Sequence, residues 1–189
     1  MTHTFDIFRM DNGDFFRNTR TVFLYGSITM ETAYQVGNCL KYLDYLDPEA
    51  PITLEINSPG GEVASGLAII DTIRCIHAPV RAVVCGIAAS MAALIVACCT
   101  HGMRTMLPHS TIMIHQPLGG MGMSQASDIQ IYAQNIGRTK LLLNTLLAEA
   151  CGKTMEEVAA DTDRDHYLNA EEALAYGIVD SIVTSKKSL

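Results

Sequence analysis

The chain has 189 residues, 49% of them apolar, and a formal net charge of −7 at pH 7. This length suits a single domain with a sizeable core, and the sequence has no low-complexity tract that would indicate disorder. The negative charge argues against nucleic acid or an anionic membrane surface as the partner.

Six cysteines are scattered along the chain, mostly inside apolar stretches. There is no CxxC pair and no cysteine–histidine cluster with zinc spacing, so the sequence predicts no metal site. The first residues, MTHTFDIFRMDNGDFF, have neither the basic nor the apolar region of a signal peptide. These features together predict reduced thiols in a cytoplasmic protein. The cysteines are Cys39, Cys75, Cys85, Cys98, Cys99 and Cys151.

The first half of the chain alternates predicted strands with predicted helices. The strands are short apolar runs, and the helices carry apolar residues at helical spacing, as Val36, Leu40 and Leu43 do in the first helix. Three such alternations predict right-handed βαβ units and a largely parallel sheet, which is an α/β fold. In chain order the elements are strand 20–26, helix 30–46, strand 51–57, helix 62–76, strand 80–85 and helix 90–99.

The second half predicts short strands and one long helix. The stretch QPLGGMGMSQ at 116–125 is too glycine-rich for an ordinary strand, and Gly152 ends the long helix as a left-handed cap. TMEE and NAEE each place a capping residue three positions before a glutamate, which is typical of a helix start, and Gly177 closes the last helix. The other predicted elements are strands 104–108 and 110–115, helix 124–150 and strand 178–183.

Residues 82–103 form a run of 22 residues without Asp, Glu, Lys or Arg, which is long enough to span a bilayer. The run begins with β-branched residues, breaks at Gly86, and is rich in Ala, Cys and Ser rather than Leu. We therefore predict a buried strand followed by a buried helix instead of a membrane span.

Three marked junctions follow predicted strands: NSPGG at 57–61, CGIAAS at 85–90 and MIHQP at 113–117. Functional residues of parallel α/β sheets lie at the carboxyl ends of strands, so these segments form the candidate site. The glycine pair of the first junction lets backbone N–H groups approach a substrate carbonyl or a phosphate, and it equally suits a plain turn. A phosphate is disfavoured because neither G-x-G-x-x-G nor G-K-[ST] is present.

Ser90, in the second junction, has two interpretations. A serine at the start of a helix commonly caps the free backbone N–H groups, and from its neighbours alone this is the better interpretation. As a nucleophile, Ser90 would have the same helix N-terminus beside it, with the N–H of Met91 facing an oxyanion. The surrounding sequence is not the G-x-S-x-G elbow of hydrolases.

A serine nucleophile needs a general base and an orienting carboxylate. His115 closes an apolar strand, which suits a general base on a rigid scaffold or, alternatively, a histidine bonded to backbone at the edge of the core. The carboxylate would come from DTDRD, where spacing does not choose among Asp161, Asp163 and Asp165. The residues by themselves therefore predict a serine hydrolase.

Four blocks closely resemble the proteolytic subunit family of the ATP-dependent Clp protease, ClpP, in the same order: INSPGG, GIAASMA, RTMLPHSTIMIHQPLGG and DTDRDHYLNAEEALAYGIVDSIV. The likeness runs from about residue 20 to about residue 184. It implies a serine peptidase of the ClpP/crotonase-like fold, whose subunits form seven-membered rings stacked in pairs around a closed chamber. A separate AAA+ ATPase would use the ATP and deliver unfolded polypeptide, so no cofactor is implied for this chain.

The resemblance also implies the roles of individual residues. Ser90 would be the nucleophile, His115 the general base and Asp165, the last aspartate of DTDRD, the orienting acid. The backbone N–H groups of Gly61 and Met91 would form the oxyanion hole.

Further matched positions would serve substrate binding and assembly. Leu118, Gly119 and Gly120 would pair with an extended substrate as an added strand, and a handle at about 116–150 would meet its counterpart across the two rings. Asp163 and Arg164 resemble the ring-to-ring ion pair of the family, with a solvated charged turn as the alternative.

The chain departs from the family pattern at three places. Ala92 stands where the family usually has glycine. Thr53 and Glu55 occupy positions where many relatives carry aromatics that line the pocket for the ATPase loop, and a charge there argues against the usual ATPase docking by this face. Residues 1–19 are a divergent N-terminal segment, a candidate axial pore region that does not align well with the pore loop of the family, and residues 20–189 form a single ClpP-like peptidase domain.

These departures suggest an alternative function and assembly. The chain would then be a divergent ClpP paralogue, poorly active alone, that acts as a structural or regulatory subunit in a mixed ring instead of a homo-oligomer. A third interpretation, acyl-CoA chemistry on the related crotonase scaffold, fits poorly because the serine, histidine and aspartate are all present and no feature suggests nucleotide binding.

Overall fold

The computed structural model describes residues 13–183, so residues 1–12, most of the predicted divergent segment, and residues 184–189 lie outside the described range. Strands and helices alternate from the first strand to the fourth helix, as predicted. The helices are α1 (Gly13–Thr19), α2 (Met30–Leu46), α3 (Val63–Cys75), α4 (Met91–Cys98), α5 (Ala126–Cys151), α6 (Met155–Asp161) and α7 (Ala170–Tyr176). The strands are β1 (Thr21–Tyr25), β2 (Ile52–Ser58), β3 (Val80–Ala89), β4 (Arg104–Met106), β5 (Thr111–Ile114), β6 (His166–Leu168) and β7 (Ser181–Ile182).

These seven strands form one sheet. Its main path runs β1–β2–β3–β4–β7, while β5 pairs with β3 and with β6. Every pairing is parallel except that of β5 with β6, which confirms the predicted largely parallel α/β sheet. Because β2, β3 and β5 are parallel neighbours, their carboxyl ends lie at the same edge of the sheet.

Strand β3 does not end at residue 85, as the sequence suggested, but bends there and continues to Ala89. Its first half pairs with β4, and residues 87–89 pair with β5 instead. The bend is at Gly86, whose φ of +96° suits glycine, and its N–H donates to the Ser110 Oγ at 3.0 Å. This bend carries the end of β3 alongside the end of β5.

Helix α4 lies in the centre of the core. Residues 91–97 are all buried, which agrees with a helix that is apolar on every side. The charge-free run 82–103 is thus a strand followed by a helix, as predicted. No helix among residues 13–183 combines the length and the apolar character needed to cross a membrane.

Most helix ends agree with the sequence signals. The side chains of Thr154 and Asn169 both form capping boxes, with Glu157 and Glu172 respectively, and Gly152 and Gly177 adopt left-handed conformations at the ends of α5 and α7. Strand β6 and helix α1 were not predicted, since each is short and lacks a clear apolar period.

The long helix α5 is anchored at one end. Its buried residues all lie in its last two turns, at Asn144, Leu146, Leu147 and Ala148. Towards its start, Ile129 and Ile131 are exposed apolar side chains. This shape is consistent with the handle that the resemblance implies.

Candidate active site

The site lies where three strand ends meet. The turn 59–61 follows β2, Ser90 follows β3 and His115 follows β5. The sheet register places these ends side by side, because Ser58 is paired with Ala88 and Ala89 with Met113. The three junctions singled out in the sequence are therefore neighbours in space.

Ser90 occupies a strained turn between β3 and α4. Its φ is +56° and ψ is −123°, and among the described non-glycine residues only Arg20 also has a positive φ. Such a conformation costs roughly 1–3 kcal/mol and is maintained only by surrounding structure. Here the Ser90 N–H donates to the Met113 carbonyl at 2.8 Å. The serine side chain makes no capping hydrogen bond, so the interpretation of Ser90 as an N-cap side chain is wrong.

The Ser90 hydroxyl contacts His115 instead. The Oγ lies 2.8 Å from His115 Nε2, and His115 Nδ1 lies 2.9 Å from Asp165 Oδ1. An ionised carboxylate only accepts hydrogen bonds, so Nδ1 carries the proton and donates to Asp165. The Nε2 of the neutral ring then accepts from the Ser90 hydroxyl. The three side chains therefore form one hydrogen-bonded chain, in which Ser90 donates to His115 and His115 donates to Asp165.

The structure distinguishes among the three candidate aspartates. Asp165 bonds to His115, whereas Asp163 contacts Gln116 and lies 3.8 Å from the Nε of Arg164. The His115 side chain is 12% exposed and that of Asp165 is 57% exposed, so the carboxylate approaches the ring from the solvent side. Asp161 makes no hydrogen bond to the histidine.

The glycine turn lies against Ser90. Gly60 and Gly61 both have positive φ, and a Cβ placed on Gly60 would lie 2.8 Å from the Ser90 Cβ. The Gly61 N–H donates to no described backbone carbonyl. The Met91 N–H belongs to the first turn of α4, where helical partners are lacking. Both residues line the cavity beside Ser90, and their role as an oxyanion hole stays a prediction.

Gln116 is hydrogen-bonded to the loop that carries Asp165. Its side-chain amide donates to the Asp163 carbonyl at 2.7 Å, and its backbone N–H donates to the Thr162 carbonyl at 2.6 Å. Lys140, on α5, donates to the Gln116 Oε1 at 2.9 Å. Sequence reasoning missed Gln116, Lys140 and the packing role of Gly60. Of these three residues, only Gln116 had a signal in the sequence, which is its position next to His115.

A cavity of about 260 Å³ opens beside Ser90. Its wall combines the glycine turn, the start of α4, the end of β5 and the buried end of α5. The lining residues are Pro59, Gly61, Val63, Ser90, Met91, Leu94, Met113, Ile114, His115, Pro117, Leu118, Leu143, Asn144, Leu147 and Thr162.

The segment predicted to bind substrate as a strand has no regular secondary structure here. Residues 115–122 are irregular, and Leu118 is 82% exposed although it also lines the cavity. Gly119 packs closely against Tyr132 of α5. A glycine-rich segment is weakly stabilised as a strand when no neighbouring strand pairs with its backbone N–H and C=O groups. Its pairing with substrate stays a prediction.

The residues predicted to serve ring contact and docking do not line the cavity. Asp163 and Arg164 are both exposed, and their role between rings stays a prediction. On the sheet face, Glu55 accepts a hydrogen bond from the Tyr25 hydroxyl at 2.5 Å. Burial and this carboxylate raise the pKa of Tyr25. Thr53 projects from the same face of β2, opposite the buried Ile52, Leu54 and Ile56.

No metal site is evident in the described part of the chain. Within residues 13–183 there is no group of three or more His, Cys, Asp or Glu side chains that is arranged to hold an ion. The six cysteines are all free thiols. Burial raises the pKa of Cys39 and Cys98, and it raises that of Cys151 to about 12, so these thiols are protonated at neutral pH.

Comparison with known proteins agrees with this geometry. The family model described as Clp protease matches residues 9–186. The chain belongs to the Clp protease family. The resemblance noted in the sequence is thereby confirmed, together with the fold that it implied.

Individual members of the Clp protease family give the same result. The chain is 48% identical over 165 residues to the ATP-dependent Clp protease proteolytic subunit 3 of Synechococcus sp. (strain CC9902), covering 87% of this chain and 82% of the relative. It is 47% identical over 165 residues to proteolytic subunit 2 of Prochlorococcus marinus (strain MIT 9312), covering 87% and 81%. Both relatives carry a numbered name, proteolytic subunit 3 or 2 of the ATP-dependent Clp protease.

Proposed function

We propose that this chain is a serine endopeptidase subunit of a chambered ring protease that degrades unfolded polypeptide delivered by an AAA+ ATPase. The hydrogen-bonded chain from Ser90 through His115 to Asp165 is the observation that carries the proposal. The names of the relatives, proteolytic subunits of ATP-dependent Clp protease, support the same reaction and the same kind of partner.

The geometry supports a two-stage hydrolysis. The Ser90 Oγ attacks the peptide carbonyl carbon while His115 Nε2 takes the hydroxyl proton. Asp165 keeps the proton on Nδ1 and stabilises the imidazolium that forms. The N–H groups of Gly61 and Met91 bind the developing oxyanion. The imidazolium then protonates the leaving amine, and water hydrolyses the acyl-enzyme with His115 as base. These groups suffice for the reaction without a bound cofactor.

We place the chain in stacked heptameric rings, either of one kind or mixed with a paralogue. Asp163 and Arg164 are exposed and adjacent to the loop of Asp165, which suits a contact that couples ring assembly to the site. The mixed assembly is the second candidate. The carboxylate of Glu55 favours it, because a charged group bonded to Tyr25 is unsuited to binding an apolar docking loop of the ATPase.

The first test is covalent labelling of the purified oligomer with a fluorophosphonate, followed by intact-mass detection. We expect one label per subunit in the wild type and none in Ser90→Ala, because only a serine activated by an aligned base reacts readily. Ser124→Ala is the matched control, since Ser124 is an exposed serine just before α5 that does not line the cavity, and its removal should leave labelling unchanged.

Absence of labelling in a folded oligomer would contradict an active subunit on its own. Labelling or peptide cleavage that appears only when a paralogue ring is added would favour the structural or regulatory role.

A further inference from the structure

The cavity beside Ser90 is not uniformly apolar. Much of its wall is formed by methionine and leucine side chains, which suit an apolar substrate side chain. Two polar side chains, Asn144 from α5 and Thr162 from the loop after α6, also line it. They are almost completely withdrawn from solvent, with 5% and 2% of their surface exposed. A polar group in such a wall is expected to have a hydrogen-bond partner.

Asn144 has only part of its hydrogen-bonding capacity satisfied. Among residues 13–183 its one side-chain partner is the Thr162 hydroxyl, 3.3 Å from Oδ1, so the Nδ2 group has none. Nδ2 is not among the fully buried side-chain N and O atoms that lack a partner in the described residues, so this unpaired group keeps some accessible surface. Asn144 is 95% buried and lines this cavity, so the cavity is where its amide can meet a ligand.

The orientation of the amide affects which atom a ligand meets. The Thr162 hydroxyl has one proton and lies closer to the Val158 carbonyl, at 2.7 Å, than to Asn144. With that proton on Val158, a rotated amide donates to Thr162 and presents its oxygen to the cavity. A carboxamide carries both donors and an acceptor, so it is the side-chain group that complements Asn144 in either orientation.

We propose that Asn144 is a specificity-determining residue that lets this cavity accept glutamine at the position before the scissile bond. Glutamine has about the length of methionine, so its methylene groups can pack on the apolar wall while its amide meets Asn144. Without such a partner, burial of a carboxamide is unfavourable. The inference rests on the proposed function, because the side chain that enters the cavity belongs to the residue whose carbonyl Ser90 attacks.

The test compares short fluorogenic peptides that differ only at this position, which carries glutamine, methionine or norleucine. We expect wild-type protein to cleave the glutamine and norleucine peptides with similar kcat/KM. In Asn144→Leu the glutamine-to-norleucine ratio should fall about tenfold, since one neutral hydrogen bond is lost and the amide is left unpaired. Because both peptides are measured on one sample, partial misfolding cancels in the ratio. Leu146→Met, at a buried position of α5 that does not line the cavity, should keep the ratio within about twofold.

A second measurement separates this inference from the proposed function. In a Ser90→Ala background, microcalorimetry measures the affinity of peptide acids that end in glutamine or norleucine, which requires no cleavage. An unchanged ratio of affinities or of kcat/KM after Asn144→Leu overturns the role of Asn144, whether or not peptides are cleaved. A lower ratio supports it. Absence of cleavage by wild-type protein counts against the peptidase function, and the binding ratio then decides the inference on its own.

Discussion

At the scale of single residues, backbone conformation determines which partner the Ser90 hydroxyl contacts. Its positive φ turns the side chain away from the free N–H groups of α4, which a serine in extended conformation would cap. The hydroxyl is thereby left to His115 Nε2 at 2.8 Å. The surrounding structure maintains this conformation, and Gly60 is one of the residues packed against Ser90.

Gly60 provides a test of that arrangement. In Gly60→Ala the new Cβ would lie 2.6 Å from the Ala89 carbonyl and 2.8 Å from the Ser90 Cβ, so Ser90 must shift. We expect the rate of fluorophosphonate labelling to fall on the order of 100-fold, as displacements near 1 Å do in active sites. Stability, measured by urea unfolding, should fall by about 1–2 kcal/mol because φ is positive.

Gly152→Ala is the matched control for this substitution. Gly152 also has a positive φ, +66°, but its Cβ would meet nothing within 4 Å. We expect a comparable loss of stability with unchanged labelling. Equal labelling by both variants would show that the turn does not position Ser90.

At the scale of elements, three separate segments are joined through Gln116. The residue follows β5, its side chain bonds to the loop between α6 and β6, and Lys140 of α5 bonds to it in turn. That loop carries Asp165, so two hydrogen bonds connect the long helix with the loop of this carboxylate. The capping box of Thr154 fixes the start of α6, and the backbone N–H of Thr154 lowers the pKa of the Glu157 carboxyl.

We expect Gln116→Ala to slow peptide cleavage on the order of tenfold, because Asp165 is then less well positioned against His115. As Gln116 is a positioning residue, the effect should appear in kcat with little change in KM, and the pH profile of kcat should shift. Gln130→Ala, at an exposed glutamine of α5, should leave both unchanged. A loss confined to KM would indicate a role in binding substrate instead.

At the scale of the whole molecule, a buried ion pair links the far ends of several elements. Arg104 is 2% exposed, and its guanidinium bonds to the Asp180 carboxylate. The same side chain donates to the carbonyls of Ala97 and Ala150, at the carboxyl ends of α4 and α5. Burial alone would raise the pKa of Asp180, but the hydrogen bonds from Arg104 outweigh it and the pKa is lowered.

We expect Asp180→Asn to lower the free energy of unfolding by about 3 kcal/mol, because the buried guanidinium loses its counter-ion. Asp71→Asn, at an exposed site, should change it by less than about 0.5 kcal/mol. Urea unfolding with both variants measures the difference.

The pH dependence of this stability has a definite sign. A carboxyl whose pKa is lowered by folding stabilises the protein above its unfolded value of 3.8 and loses this contribution as the pH falls through the folded value. Wild-type protein should therefore lose stability below about pH 4 more steeply than Asp180→Asn. Parallel acid profiles would contradict the assignment of this carboxylate.

The sequence by itself determined the elements and the candidate residues. Apolar periodicity located α2 and the strand–helix pair β3–α4, and cap chemistry located the starts of α6 and α7, because these signals act over a few neighbouring residues. Four characteristic blocks indicated the family. The bend of β3 escaped prediction, since a single glycine between apolar residues equally suits the end of a strand.

Only the tertiary structure decided how the candidates meet. The conformation of Ser90 and the contacts of Gln116 and Asn144 depend on the register of β2, β3 and β5 and on the position of α5. The resemblance had already singled out Asp165, and the structure adds its contact with His115. These are distances between residues far apart in the chain. Local sequence carries no signal for them, because they are set by packing of the whole core around α4.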